Sequence, residues 1–146
     1  MEQTRKNFKI SSIVILALAG FSLLQIVFEI LFGEINSAVI PESAPDNILL
    51  ITKIFLLSVA ALLLIPNVYI GIKGLRIAKN PNSSKGHIVW AIILLVFAVL
   101  SLIDPVVNFV KNGGVYENLS SFLSLTVEVL VYFEYIKYGM EIAKAN

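Results

Sequence analysis

Four long apolar segments follow one another along the chain and are separated by short polar stretches. The segments cover residues 10–32, 48–72, 88–110 and 119–138. A membrane-crossing helix needs about 20 mainly apolar residues, because each residue adds about 1.5 Å to its length. Each segment meets this requirement, so the pattern predicts four transmembrane helices. The first segment continues past Ala17-Leu18-Ala19, which imitates a signal-peptidase site, and we expect it to be retained as a helix.

Two prolines interrupt the apolar pattern. Pro66 lies inside the second segment, and Pro105 follows Asp104 in the third. Proline removes a backbone hydrogen-bond donor and commonly kinks a helix. The third span therefore either runs through Asp104 and Pro105 to Val110 or ends near Ile103.

The connecting stretches have the composition of turns. Residues 33–47 and 73–87 are rich in proline, asparagine, serine, glycine and charged side chains, and residues 111–118 contain two adjacent glycines. These residue types end helices and form turns. The pattern therefore predicts an all-α fold, an integral membrane four-helix bundle of two transmembrane hairpins. We expect residues 1–146 to form this single transmembrane domain.

Composition supports a membrane protein and excludes several functions. The chain is 58% hydrophobic and 14% charged, whereas a soluble domain is typically about 45–50% apolar and about 25% charged. A net charge of +1 gives no overall field that would attract nucleic acid. Because the chain contains no cysteine, disulfide frameworks and thiol chemistry are excluded.

Lysine and arginine are distributed unevenly between the two ends of the predicted spans. Nine of the eleven lie at one end: Arg5, Lys6, Lys9, Lys73, Arg76, Lys79, Lys85, Lys137 and Lys144. The other end has only Lys53 and Lys111. Cytoplasmic loops of membrane proteins carry an excess of these residues. We therefore expect both termini and the middle loop in the cytoplasm, and the short loops favour a bacterial plasma membrane.

Three ionisable residues lie at a similar depth near the outer boundary, each on a different span: Glu29, Lys53 and Asp104. A charge at the centre of a membrane helix costs roughly 2.5–3.5 kcal/mol, so such residues usually face a partner or a water-filled cavity. Two acids and one base at one depth predict an ion-pair cluster, because each group lowers the cost of charging the others. This cluster either fixes the register of the helices or lines an outward-open vestibule.

Glu128 lies midway along the fourth span, and no basic residue on another span matches its depth. Gln25, on the first span, is the nearest polar candidate. Ser124, Glu128 and Tyr132 are four residues apart and share one helix face. We therefore take Glu128, Gln25, Ser124 and Tyr132 as a candidate intramembrane polar site. Such a carboxyl either serves proton or ion transport or holds helices together through hydrogen bonds.

The second span carries an irregularly spaced stripe of polar and small residues that includes Asn67, Gly71 and Gly74. Stripes that face lipid should be apolar, so this stripe is expected to face inward. Small residues on such a stripe let the backbones of neighbouring helices approach closely.

The second span continues into a basic cytoplasmic segment that contains Lys73, Arg76, Lys79 and, after a turn, Lys85. These cations are candidate contacts for anionic lipids, each contributing about 1 kcal/mol near a charged membrane surface. The single histidine, His87, begins the third span and is expected to lie at the membrane interface. A metal site needs further ligands at suitable spacing, so we expect neither a metal nor a cofactor.

Catalytic motifs are absent from the sequence: it contains no HExxH, no GxSxG and no cysteine nucleophile. We therefore do not expect an enzyme. The size and the short loops favour a non-catalytic tetraspan protein that binds a partner within the membrane, as an accessory, regulatory or immunity-type subunit. The partner would be another membrane protein or a second copy of the chain. The alternative is a small oligomeric channel or proton- or ion-coupled carrier that uses Glu128.

Overall fold

The structure, a computed structural model, describes residues 1–32, 46–82, 84–111 and 119–145. Of these residues 93% are helical and none belongs to a strand, which confirms the all-α prediction. The described chain forms five helices: α1 Glu2–Phe32, α2 Asp46–Lys79, α3 Gly86–Ser101, α4 Ile103–Lys111 and α5 Leu119–Lys144.

Two stretches of described helix are long and apolar enough to cross a membrane. They are Glu2–Phe28 in α1 and Gly86–Lys111, which covers α3 and α4. By the same measure of length and apolar composition, no such stretch occurs in the described residues of α2 or α5. The structure thus supports a membrane location without confirming a bundle of four spans.

The third predicted span is interrupted for one residue rather than ended. Helix α3 stops at Ser101, Leu102 forms a turn, and α4 then continues through Asp104 and Pro105. Pro105 has no N–H, and its ring would clash with the carbonyl four residues earlier, which is that of Ser101. The helical path resumes at once, since the Val106 N–H donates to the Leu102 carbonyl over 3.1 Å.

Contacts between residues divide the chain into two compact units. We call one the junction unit, which comprises Met1–Leu16 and Pro66–Asn146, and the other the hairpin unit, Ala17–Ile65. Within the hairpin unit, the described hydroxyls of α2 bond to their own helix. Thr52 Oγ1 donates to the carbonyl of the residue four before it over 2.9 Å, and Ser58 Oγ does the same over 2.8 Å.

The junction unit contains a continuous buried core to which α1, α2, α3 and α5 all contribute. Its members are Phe8, Ile15, Ile70, Ile77, Ala78, Ile88, Ala91, Ala98, Tyr132, Tyr135, Ile136 and Ile142. Helices α3 and α5 pack directly against each other. Most of these residues lie near the start of α1 and α3 and near the end of α2 and α5. The core is therefore concentrated at the end of these helices that carries most of the basic residues.

Helix α3 exposes large apolar side chains along most of its length, and its buried residues are His87 and Ile88 near its start and two small residues further along. Ala91 and Ala98 are buried, seven residues apart on one face. Val96, Phe97 and Leu100 are more than half exposed. A surface helix of a soluble protein shows the reverse arrangement, with its large apolar residues toward the core and polar residues outside. This distribution is the one expected of a helix surrounded by lipid.

Candidate functional site

Three aromatic rings meet at the centre of the junction unit. Phe8 of α1, His87 of α3 and Tyr135 of α5 are almost completely buried; we call them the aromatic cluster. The ring centroids of Phe8 and Tyr135 are 4.7 Å apart, and His87 lies 6.0 Å from Phe8 and 5.8 Å from Tyr135 with its ring edge-on. Aromatic pairs at these separations are attractive beyond the area that they bury. The cluster therefore joins three helices.

Helix α2 is attached to the cluster through a buried hydrogen bond. The Tyr135 hydroxyl donates to the backbone carbonyl of Ile70 over 2.7 Å. On the neighbouring helix, Ser12 Oγ donates to the Phe8 carbonyl over 2.8 Å. Both hydroxyls are therefore satisfied although they are shielded from water, as buried polar groups require.

Two glycines of α2 allow this close packing. A Cβ atom built at Gly74 would lie 2.7 Å from Tyr135 Cε2 and would also overlap Ser12 Oγ. A Cβ atom built at Gly71 would lie 2.5 Å from Leu16 Cγ. Real Cβ atoms do not approach other atoms so closely, so a side chain at either position would force these neighbours to shift. The inward orientation that the sequence predicts for this part of the α2 stripe is confirmed.

His87 is a core residue of the junction unit, and its expected position at the membrane interface stays a prediction. Its side chain is 1% exposed, and among the described residues neither Nδ1 nor Nε2 has a hydrogen-bond partner. Gly139 lies beside the cluster: a Cβ atom built there would lie 3.2 Å from Phe8 Cε2, a tight contact, and at an ordinary contact distance of 3.6 Å from His87 Nε2. A buried polar group without a partner costs about 1–3 kcal/mol, so the surrounding packing must offset this loss. No group of three or more potential metal ligands occurs within the described residues.

The predicted intramembrane site stays a prediction, and within the described residues one of its members, Tyr132, contacts Asn67, which the sequence placed on the α2 stripe but not in this site. Tyr132 is buried, and its hydroxyl donates to Asn67 Oδ1 of α2 over 2.5 Å. Glu128 lies one helical turn before Tyr132 and is half-buried, whereas Ser124 is exposed. The side chain of Gln25 lies outside the described part of the structure. Asn67 shares a helix face with the two glycines of α2, and this spacing was the available signal.

The predicted outer ion-pair cluster falls on helices whose side chains are not described at the relevant positions. Glu29 lies in α1, Lys53 in α2 and Asp104 in α4. Their carboxyl and amino groups lie outside the described part of the structure. The cluster therefore stays a prediction.

The basic end of α2 is held by an arginine of α1. Arg5 Nε donates to the Ala78 carbonyl over 3.1 Å, and its Nη2 donates to the Lys79 carbonyl over 2.9 Å. The last carbonyls of a helix have no partner within it, and a nearby cation also interacts favourably with the helix dipole. Among the predicted lipid contacts, Lys73 is half-buried and the others are exposed: Arg76, Lys79 and Lys85.

No protein-family model, no curated protein and no solved structure matches the chain. The Tyr132 and Tyr135 hydroxyls of α5 donate to an amide oxygen and a backbone carbonyl of α2, so these two side chains join helices. The Ser12 hydroxyl donates to a carbonyl of its own helix, α1.

Proposed function

We propose that the chain is a small integral membrane protein with four spans and that it acts by binding a partner within the membrane, without catalysis. The partner is another membrane protein or a second copy of the chain. The setting that we propose is a bacterial plasma membrane with both termini in the cytoplasm. The observation that carries the proposal is the exposure of bulky apolar side chains along most of α3, where Val89, Val96, Phe97 and Leu100 are each more than half exposed.

Helix α5 supports the same interpretation. Leu123, Val127 and Leu130 are exposed and follow each other at intervals of four and three residues, so they form one apolar stripe. Phe133 extends this stripe and is 60% exposed. Soluble monomers rarely expose a contiguous apolar patch of more than a few hundred Å². Lipid tails and the helices of a membrane partner are the surroundings that such a stripe fits.

The junction unit supports the proposed arrangement of the spans. Arg5 near the start of α1 contacts the end of α2, and His87 at the start of α3 lies against Tyr135 toward the end of α5. Neighbouring helices therefore run in opposite directions, as two successive hairpins require. The same contacts bring the basic segments of the chain to one end, which agrees with the positive-inside distribution.

Partner binding is tested with a photo-reactive residue placed on the α5 stripe. Leu130→benzoylphenylalanine in native membranes is expected to give one discrete cross-linked adduct, because this side chain faces away from the core. The control is the same substitution at Ile136, a buried residue of the same helix, which is expected to give none. Diffuse labelling of lipid alone from every exposed position of α5 would contradict a specific partner.

Transport is the second candidate because Glu128 lies one turn from the hydrogen-bonded pair of Tyr132 and Asn67. We expect purified protein in liposomes to give no proton or cation flux above that of empty liposomes. If flux is found, Glu128→Gln and Glu134→Gln decide its origin, because Glu134 is an exposed carboxyl on the same helix. Flux that only Glu128→Gln abolishes would replace partner binding with transport.

A further inference from the structure

An open cavity of about 610 Å³ lies beside the first turns of α1 in the junction unit. It is lined by Glu2, Gln3, Arg5, Lys6, Lys9 and Ala78. Three of these six residues are cations and one is a carboxylate, so the cavity has an excess of positive charge. It shares none of its cations with the basic segment of α2 that the sequence marks for lipid contact.

Arg5 is held in place before any ligand arrives. Its guanidinium donates two hydrogen bonds to the end of α2, and the residue is half-buried. A guanidinium has five N–H donors, so three remain for a further acceptor. A donor that is already fixed loses little entropy on binding, which favours affinity. Arginine also matches the geometry of phosphate oxygens in two-point contacts.

The two lysines of the cavity are available as additional donors. Lys6 and Lys9 are exposed, and no described carboxylate lies within ion-pair distance of either one. Lys9 follows Arg5 by one helical turn, and like charges at this spacing destabilise a helix by about 0.2–0.5 kcal/mol. A bound anion would relieve this repulsion. Glu2 opposes an anion, but it is outnumbered three to one.

We propose that this cavity binds the phosphate of an anionic phospholipid headgroup, with Arg5, Lys6 and Lys9 as its donors. The proposal rests on the membrane location proposed above, because Lys9 immediately precedes Ile10, where the first predicted span begins. This position places the three cations at the depth of the headgroups, within reach of a lipid phosphate.

The test is native mass spectrometry of the full chain in detergent during titration with phosphatidylglycerol. The double variant Lys6→Gln/Lys9→Gln is expected to weaken binding about thirtyfold, because each cation contributes about fivefold near an anionic headgroup. Neither lysine makes a described side-chain hydrogen bond, so the fold should be retained. The matched control Lys137→Gln/Lys144→Gln removes the same charge from α5 and is expected to leave binding unchanged.

Several outcomes would overturn the lipid site. Equal binding by the wild type and the Lys6/Lys9 variant would do so, and so would an equal loss in the control variant. Full competition by inorganic phosphate would assign the cavity to a soluble anion instead. Release of the wild type from membranes by alkaline carbonate would overturn the proposed function as well. If the wild type is retained in membranes but the Lys6/Lys9 variant binds lipid as tightly as the wild type, only the lipid site is overturned.

Discussion

Replacing Tyr135 with alanine is expected to lower the free energy of unfolding by about 3–5 kcal/mol, the usual cost of removing a buried aromatic side chain. Tyr135 is completely buried, stacks on Phe8 and meets the edge of His87. Its hydroxyl also provides the hydrogen bond to the Ile70 carbonyl. The substitution therefore leaves a cavity at the point where four helices meet.

The measurement is equilibrium unfolding in detergent, followed by the loss of helical circular dichroism. Tyr135→Phe isolates the hydroxyl and is expected to cost about 0.5–1.5 kcal/mol, the typical net value of one hydrogen bond. Phe133→Ala removes an exposed aromatic side chain from the same helix and should leave stability nearly unchanged. A loss for Tyr135→Ala no larger than that for Phe133→Ala would show that the aromatic cluster does not hold the junction.

Gly74→Ala is expected to destabilise the protein by about 1–3 kcal/mol, which is typical of an extra methyl group in a well-packed core. The new Cβ atom would meet Tyr135 Cε2 at 2.7 Å and would press on Ser12 Oγ. To admit the methyl group, α2 must move away from α1 and α5. The larger Gly74→Val is expected to cost more.

Gly20→Ala is the matched control because Gly20 also lies inside a helix and nothing lies within 4 Å of its added Cβ atom. Helix propensity favours alanine over glycine by about 1 kcal/mol at either site, so any difference between the two variants reports the packing at Gly74. Both are measured by the same unfolding experiment. Equal stability of the two variants would contradict the close approach of helices at Gly74.

The positions of the helices could largely be predicted from the sequence, and their lengths could not. Apolar length sets the expected membrane segment, but a helix continues until a residue ends it. Helix α1 begins eight residues before its predicted span, because Glu2–Lys9 contains no proline or glycine. Helix α2 runs on to Lys79, since Pro81 is the first residue beyond the predicted span that blocks a helix.

The contacts of the junction were harder to predict, because they depend on which helices meet. The depth of a charge along a span is visible in sequence and drew attention to Glu128. The partners of Tyr132 and Tyr135 are an amide and a backbone carbonyl on α2, and a backbone carbonyl carries no sequence signal. The burial of His87 could not be predicted from its polarity. It depends on the rings of Phe8 and Tyr135, which come from two other helices.

Topology is the central claim, and single-cysteine labelling tests it most directly in a chain that has no native cysteine. The variants are Asn82→Cys and Ala145→Cys on the predicted cytoplasmic side, with Ser37→Cys and Asn112→Cys on the predicted outer side. In intact cells, a membrane-impermeant maleimide is expected to label only Ser37→Cys and Asn112→Cys, and to label the other two after permeabilisation. Labelling of Asn82→Cys or Ala145→Cys in intact cells would contradict four spans with both termini inside.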